Sequence, residues 1–130
     1  AIRYVTNGTY MNVIREYEEI EVPEAYKSIK ARIHAMADAC EAAVNKVKEA
    51  GNQDYHDLVA RNLYEMTADV VMSLLLLRDT VEAPELFEKS LKVYVNLAEA
   101  EIAKHAAIVN NINVEGIENY VQVAAKAEEE

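Results

Sequence analysis

Large apolar residues recur every three or four positions along three consecutive long stretches of this chain, with charged residues between them. In the second of five segments separated by turn signals they are Tyr26, Ile29, Ile33, Met36, Cys40, Val44 and Val47; in the third, Val59, Leu63, Met66, Val70, Leu74 and Leu77. The fourth carries Phe87, Leu91, Tyr94, Val95, Ala98, Ile102, His105 and Val109, a partly aromatic face. This period predicts one apolar stripe and one polar back per helix, the pattern by which helices pack on one another rather than on a sheet.

Local signals divide the segments. A short first helix is expected over about Thr9 to Ile20, where Tyr10, Val13, Ile14, Tyr17 and Ile20 share a face. Pro23, with Glu21 and Glu24 suited to a positive helix end, marks the start of a second helix that runs to about Ala50. Gly51 supplies a left-handed stop, and Asn52 or Asp54 an N-cap for a third helix that lasts to about Arg78. Pro84 in a first turn opens a fourth helix to about Asn110, and Asn113 can cap a fifth through Ile117, Tyr120, Val121 and Ala124 before the Glu128 to Glu130 tail. Short connections between long helices force neighbours to run antiparallel. The expected fold is therefore all-α: an antiparallel up-and-down bundle of three long helices plus shorter N- and C-terminal helices. Residues 1–20 read as a lead-in and short helix at a junction with an upstream core, and residues 21–130 as the bundle domain.

Composition narrows the function more than the fold. At 130 residues and 52% hydrophobic, with 3 Gly and 2 Pro, the chain is one domain able to bury a real core. A net charge of −10 disfavours nucleic acid, whose phosphates are bound by neutralising them, and anionic membrane surfaces likewise. The apolar run from Val70 to Leu77 is too short to span a bilayer, and a single cysteine on an apolar stripe reads as a buried free thiol. These features predict a reduced, cytoplasmic, soluble protein. The opening Ala1-Ile2-Arg3-Tyr4-Val5, running into a Thr6-Asn7-Gly8 turn signal, reads as a chain met midway, either trimmed or part of a longer polypeptide.

Tests for chemistry leave no residue assigned to catalysis, to a cofactor or to a metal. A di-iron bundle needs a Glu three residues before a His on each of two helices, yet Ala31, Gln53 and Ile102 stand three before His34, His56 and His105. His105 is expected on the inner edge of its helix, paired with Glu101 one turn earlier, and no second histidine is spaced to join His34 in a metal site. Ser28, Ser73 and Ser90 lie within helices, without the strand-to-helix elbow that exposes a nucleophile. Asp69, among apolar neighbours, reads as the partner of a Lys or Arg on an adjacent helix, and Arg61 and Glu65 as a solvated pair.

Arg61 to Asp79, then Pro84-Glu85-Leu86-Phe87-Glu88-Lys89-Ser90 and Val93-Tyr94-Val95, resemble the extra C-terminal helical domain that follows the flavoprotein core in one bacterial group of acyl-CoA dehydrogenase family proteins. The resemblance runs from about Glu21 to Tyr120. It implies a parent enzyme that desaturates acyl-CoA thioesters with FAD, a glutamate removing the α proton while the β hydride goes to the flavin. Neither that base nor the flavin-binding segments are recognisable here, so the chain itself is expected to be inactive and to hold no cofactor, FAD belonging to the parent. The expected role is a non-catalytic accessory domain that packs on the upstream catalytic core of the same polypeptide or mediates subunit contacts. The alternative is a free-standing acidic helical-bundle protein with a binding or regulatory role. Tyr4, Val5, Tyr10, Val13, Ile14, Tyr17 and Ile20 offer more apolar surface than one short helix hides, so Tyr10, Val13, Ile14, Tyr17 and Ile20 are the candidate interface and a two-fold homodimer is expected.

Overall fold

Four α-helices account for most of residues 8–117, the part of the chain described by this computed structural model: α1 Thr9–Tyr17, α2 Lys27–Ala50, α3 Gln53–Glu82 and α4 Pro84–Asn111. The described residues contain no strand, and the chain is an all-α bundle. Residues 114–117 turn helical again. The rest of the expected fifth helix, with Tyr120, Val121 and Ala124, lies outside the described residues, as do Tyr4 and Val5.

The ends follow local chemistry. Gly51 adopts the left-handed φ of 58° that closes α2, and the Asn52 side chain accepts from the Tyr55 amide at 3.0 Å to cap α3. Pro84 occupies the first turn of α4, where its missing N–H costs nothing. Three boundaries differ from the sequence pattern. α1 ends at Tyr17, leaving Ile20 in the connection, where its carbonyl accepts from Lys30 Nζ at 2.6 Å. α2 begins at Lys27 instead of Pro23, because Pro23 is extended (ψ 158°) and a 3-10 turn, Glu24–Tyr26, swings the buried Tyr26 ring inward with its hydroxyl facing Glu88 of α4. α3 continues past Arg78 to Glu82, since buried Thr80 and half-buried Val81 still face the core and only Pro84 disfavours helix at the residue before it.

Cross-helix pairs give the topology. Tyr55 meets Val109, Asn62 meets His105 and Asp69 meets Tyr94, so α3 and α4 are antiparallel over nearly their whole length. Arg32 meets Glu99 and Lys46 meets Asn110, so α2 and α4 run the same way. α1 packs on α3 and runs antiparallel to α2, which Arg15 reaches at Asp38 and Glu41. The alternation is up, down, up, down. All stripe residues expected of α2 and α3 are buried; of those on α4, Phe87 and Tyr94 are half-buried and the rest buried. Nothing in the described helices is long and apolar enough to cross a membrane.

The buried hydroxyls of the bundle are satisfied by backbone carbonyls. Thr67, Ser73 and Thr80, all buried on α3, donate to the carbonyls of Leu63, Asp69 and Leu76 one turn back, at 2.9, 2.7 and 2.7 Å. The last carbonyls of α4, which no helical amide can reach, are met from outside: Tyr55 donates its hydroxyl to Val109 O at 2.6 Å and Lys46 its ammonium to Asn110 O at 3.1 Å. Cys40 is fully buried beside Thr67, and burial pushes its thiol pKa up, which makes it an inert filler.

α1 is held by two devices. Ile14 is completely buried and Met11 nearly so. Arg15 reaches Glu18, Asp38 and Glu41 at 2.8, 2.8 and 2.9 Å, and these carboxylates raise its already high pKa, Glu18 most of all. Replacing Ile14 by Ala removes buried volume with little room for collapse, so Ile14→Ala is expected to cost about 3 kcal/mol in urea unfolding. Tyr17→Ala, at a side chain left open to water, is expected to change stability by well under half of that.

Candidate functional site

The densest polar constellation lies where the middle of α3 faces the second half of α4. Glu101 and His105 sit one turn apart on α4, and Asn62 and Glu65 come from α3 at the same level. The His105 side chain is only 5% exposed. Its Nδ1 lies 2.9 Å from the Asn62 amide, and its Nε2 lies 3.0 Å from Glu65 Oε2 and 3.4 Å from Glu101 Oε2. Neither carboxylate oxygen is placed to form a hydrogen bond with Nε2, which has no partner of that kind. Outer cations hold both glutamates: Arg61 donates to Glu65 Oε1 at 3.0 Å, and Lys104 lies 3.2 Å from Glu101 Oε2. The Arg61 hydrogen bond is the main reason that the Glu65 carboxyl lies below its usual pKa.

One turn along α3 from Glu65, Asp69 accepts from the Tyr94 hydroxyl at 3.4 Å. The expected Lys or Arg partner is replaced by a phenol, because α4 presents Tyr94 at that level. A phenol does not offset a carboxylate's desolvation as a cation does. Burial, and next the Glu101 charge, therefore push the Asp69 pKa up, and burial does the same for Tyr94.

The other histidines are separate. His34 is exposed, with Nδ1 3.0 Å from Glu18 and Nε2 3.4 Å from Asp38, beside the Arg15 guanidinium. His56 is half-buried near Gln53 and Asp57. The expected pairs of His105 with Glu101 and of Arg61 with Glu65 are present. Sequence reasoning did not find the convergence of Glu65 on His105, since spacing along one helix cannot show which residue a second helix brings opposite.

The five candidate interface residues divide. Ile14 lies inside the chain's own core. Tyr10, Val13 and Ile20 are half-buried, and Tyr17, 39% exposed, lines with Ile20, Leu74 and Leu75 a shallow cleft of about 230 Å³. A larger exposed apolar surface is on the outer side of α4, where Leu86, Val93 and Leu97 are 70%, 60% and 62% exposed. Spacings of seven and four place them on one line along the helix, opposite the core stripe. The signal was available in the sequence: α4 carries two apolar lines, and only one can face inward.

A groove of about 730 Å³ opens between the start of α3 and residues 112–117, lined by Leu58, Ile112 and Ile117 with Asp54 and Asp57 on its rim. Its size suits a small molecule. Its carboxylates repel phosphates, and Gly8, Gly51 and Gly116 are isolated, so no glycine-rich loop cradles a dinucleotide. The residues described do not fit FAD.

A family model for the acyl-CoA dehydrogenase C-terminal region matches residues 6–117. A crystal structure of an acyl-CoA dehydrogenase family protein from Porphyromonas gingivalis is similar throughout: 35% identity, TM-score 0.81, with 87% of this chain and 97% of that chain covered. No curated protein matches the chain.

Asp69 gives a pH-dependent expectation. A carboxyl whose folded pKa is raised contributes its full stability below the unfolded pKa and loses it as pH rises through the folded value. At neutral pH the ionised Asp69 therefore weakens the domain. Asp69→Asn is expected to raise Tm by a few degrees at pH 7, with the gain shrinking towards pH 3, as thermal scans across that range would show.

Proposed function

Because the chain belongs to the acyl-CoA dehydrogenase C-terminal domain family, we propose that it is a non-catalytic accessory domain that packs on the flavoprotein core of its own polypeptide. FAD and the acyl-CoA substrate belong, in this reading, to that upstream core. The observation that carries the reading is the α4 outer line of Leu86, Val93 and Leu97, which leaves large aliphatic side chains in water on a helix whose other side is fully used by the bundle. A line of exposed large aliphatic side chains of this kind supports a contact surface. Residues 1–20 form the junction with the core, where Tyr10, Val13, Tyr17 and Ile20 offer a second patch separate from the α4 line, while Ile14 is committed to the interior.

In the isolated chain the same outer line has no core to cover it. A self-complementary helix face closes most simply on a second copy about a two-fold axis, which gives a homodimer. The net charge of −10 weakens that association at low salt and leaves the aliphatic line to drive it.

Light scattering after size exclusion is expected to give a dimer, and the pair Val93→Glu with Leu97→Glu a monomer of unchanged helical circular dichroism. The chain is expected to carry no FAD and to show no activity on acyl-CoA, and the separately produced upstream core to bind the unsubstituted chain but not the double variant. Retained FAD, or failure of the unsubstituted chain to bind either itself or the core, would overturn the reading.

A further inference from the structure

The buried His105 imidazole brings Nε2 to 3.0 and 3.4 Å from two carboxylates that it does not hydrogen-bond, and we propose that Glu65, Glu101 and His105 together bind one divalent transition-metal cation of the Zn²⁺ class, bridging α3 and α4. This goes beyond the accessory role and does not depend on it. The donor atoms of the three residues all lie within 4.8 Å of one another. A tetrahedral cation about 2.0–2.2 Å from each ligand sets its ligands about 3.3–3.6 Å apart. The distances from His105 Nε2 to Glu65 and Glu101, 3.0 and 3.4 Å, are already close to that spacing. Glu65 and Glu101 are half-exposed, so their carboxyl groups can turn through the remaining distance.

The surrounding groups suit the ligand state. An imidazole that ligates through Nε2 carries its proton on Nδ1 and donates it to an acceptor that fixes the ring. Asn62 stands at that nitrogen, 2.9 Å away, and turning its amide end for end presents the oxygen to Nδ1–H. Arg61 occupies Glu65 Oε1 and leaves Oε2 on the His105 side. Lys104 approaches Glu101 Oε2, but its ammonium lies on an exposed chain and swings away when a stronger cation arrives. Two carboxylates neutralise a divalent ion, in a protein whose net charge of −10 already concentrates cations. One nitrogen and two oxygens favour Zn²⁺ and its neighbours over Mg²⁺ and Ca²⁺, which call for all-oxygen shells. Water completes the coordination on the solvent side.

Sequence spacing argues against a metal because no Glu stands three residues before any histidine and no second histidine is spaced to join His34. The fold supplies a different set: a Glu and His one turn apart on α4, and a Glu across the hairpin on α3. The cluster around His34 is no competitor, since the Arg15 guanidinium already sits among its carboxylates.

The untagged chain titrated with Zn²⁺ alone in a calorimeter is expected to bind one ion, with Mg²⁺ giving no heat, and to melt several degrees higher when Zn²⁺ is in large excess over Kd. Glu65→Gln and Glu101→Gln, both at half-exposed positions that leave folding intact, are expected to weaken binding at least tenfold, and His34→Gln to leave it unchanged. In the unsubstituted protein the His105 Nε2 resonance is expected to shift on adding Zn²⁺, which tests the ligand without removing a buried side chain. No binding, binding unaffected by both glutamine variants, or an unmoved Nε2 resonance would overturn the proposal.

Discussion

A single residue, Ala83, joins the two longest helices, and the remainder of the bundle depends on that closure. The proline that follows stops α3 and starts α4 in the same step, so the helices must fold back at once and run antiparallel at close range. At the far end the buried Tyr55 hydroxyl grips the Val109 carbonyl. With both ends pinned, the levels between have no freedom to slip: Asn62 and Glu65 are set against His105, and Asp69 against Tyr94. α2 then lies in the groove of this hairpin and α1 covers a further part of α3.

The hairpin also explains which features were legible in the sequence. Periodicity alone identified the stripes of α2 and α3, because a residue such as Leu63 or Ile33 is buried by any partner. Gly51, Asn52 and Pro84 marked the turns, because left-handed φ, side-chain capping and a missing N–H are local properties. Tyr26 was different: the sequence pattern gave it an α-helical place, but burying its ring beside Glu88 of α4 requires a tighter turn. The site was less legible than the fold. Glu101 with His105 could be read from an i, i+4 spacing, whereas Glu65 joins them through the register of a different helix. Leu86, Val93 and Leu97 are masked in the sequence by the stronger inner stripe of the same helix, and nothing in the spacing separates the fully buried Ile14 from its half-buried and exposed neighbours on α1.

Charge is arranged in keeping with these roles. Each cationic side chain that reaches across the bundle does so at the surface: Arg15 from α1 to α2, Arg32 from α2 to Glu99 of α4 at 2.6 Å, and Lys46 to the end of α4. Such half-exposed pairs add little stability individually. They do fix which helix faces fall together, which leaves the outer line of α4 bare of cross-bundle pairs and the interior almost wholly apolar. Within the interior, the Thr67, Ser73 and Thr80 hydroxyls of α3 return their protons to their own helix, while Tyr55 sends its proton across to α4.

The grip on α1 has a mechanical meaning. Any pull transmitted along the chain from its N-terminal side reaches α1 before the other helices. That helix is 9 residues long and is anchored by the burial of Met11 and Ile14 and by the guanidinium fork of Arg15, whereas α3 and α4 are 30 and 28 residues long and pack together along most of their length. Unequal anchorage of this kind makes a fuse: under load α1 would detach before the hairpin, and dissolved ions that screen Arg15 would ease the step. Such a pull would leave the outer face of α4 in place, because that face lies on the hairpin and away from α1.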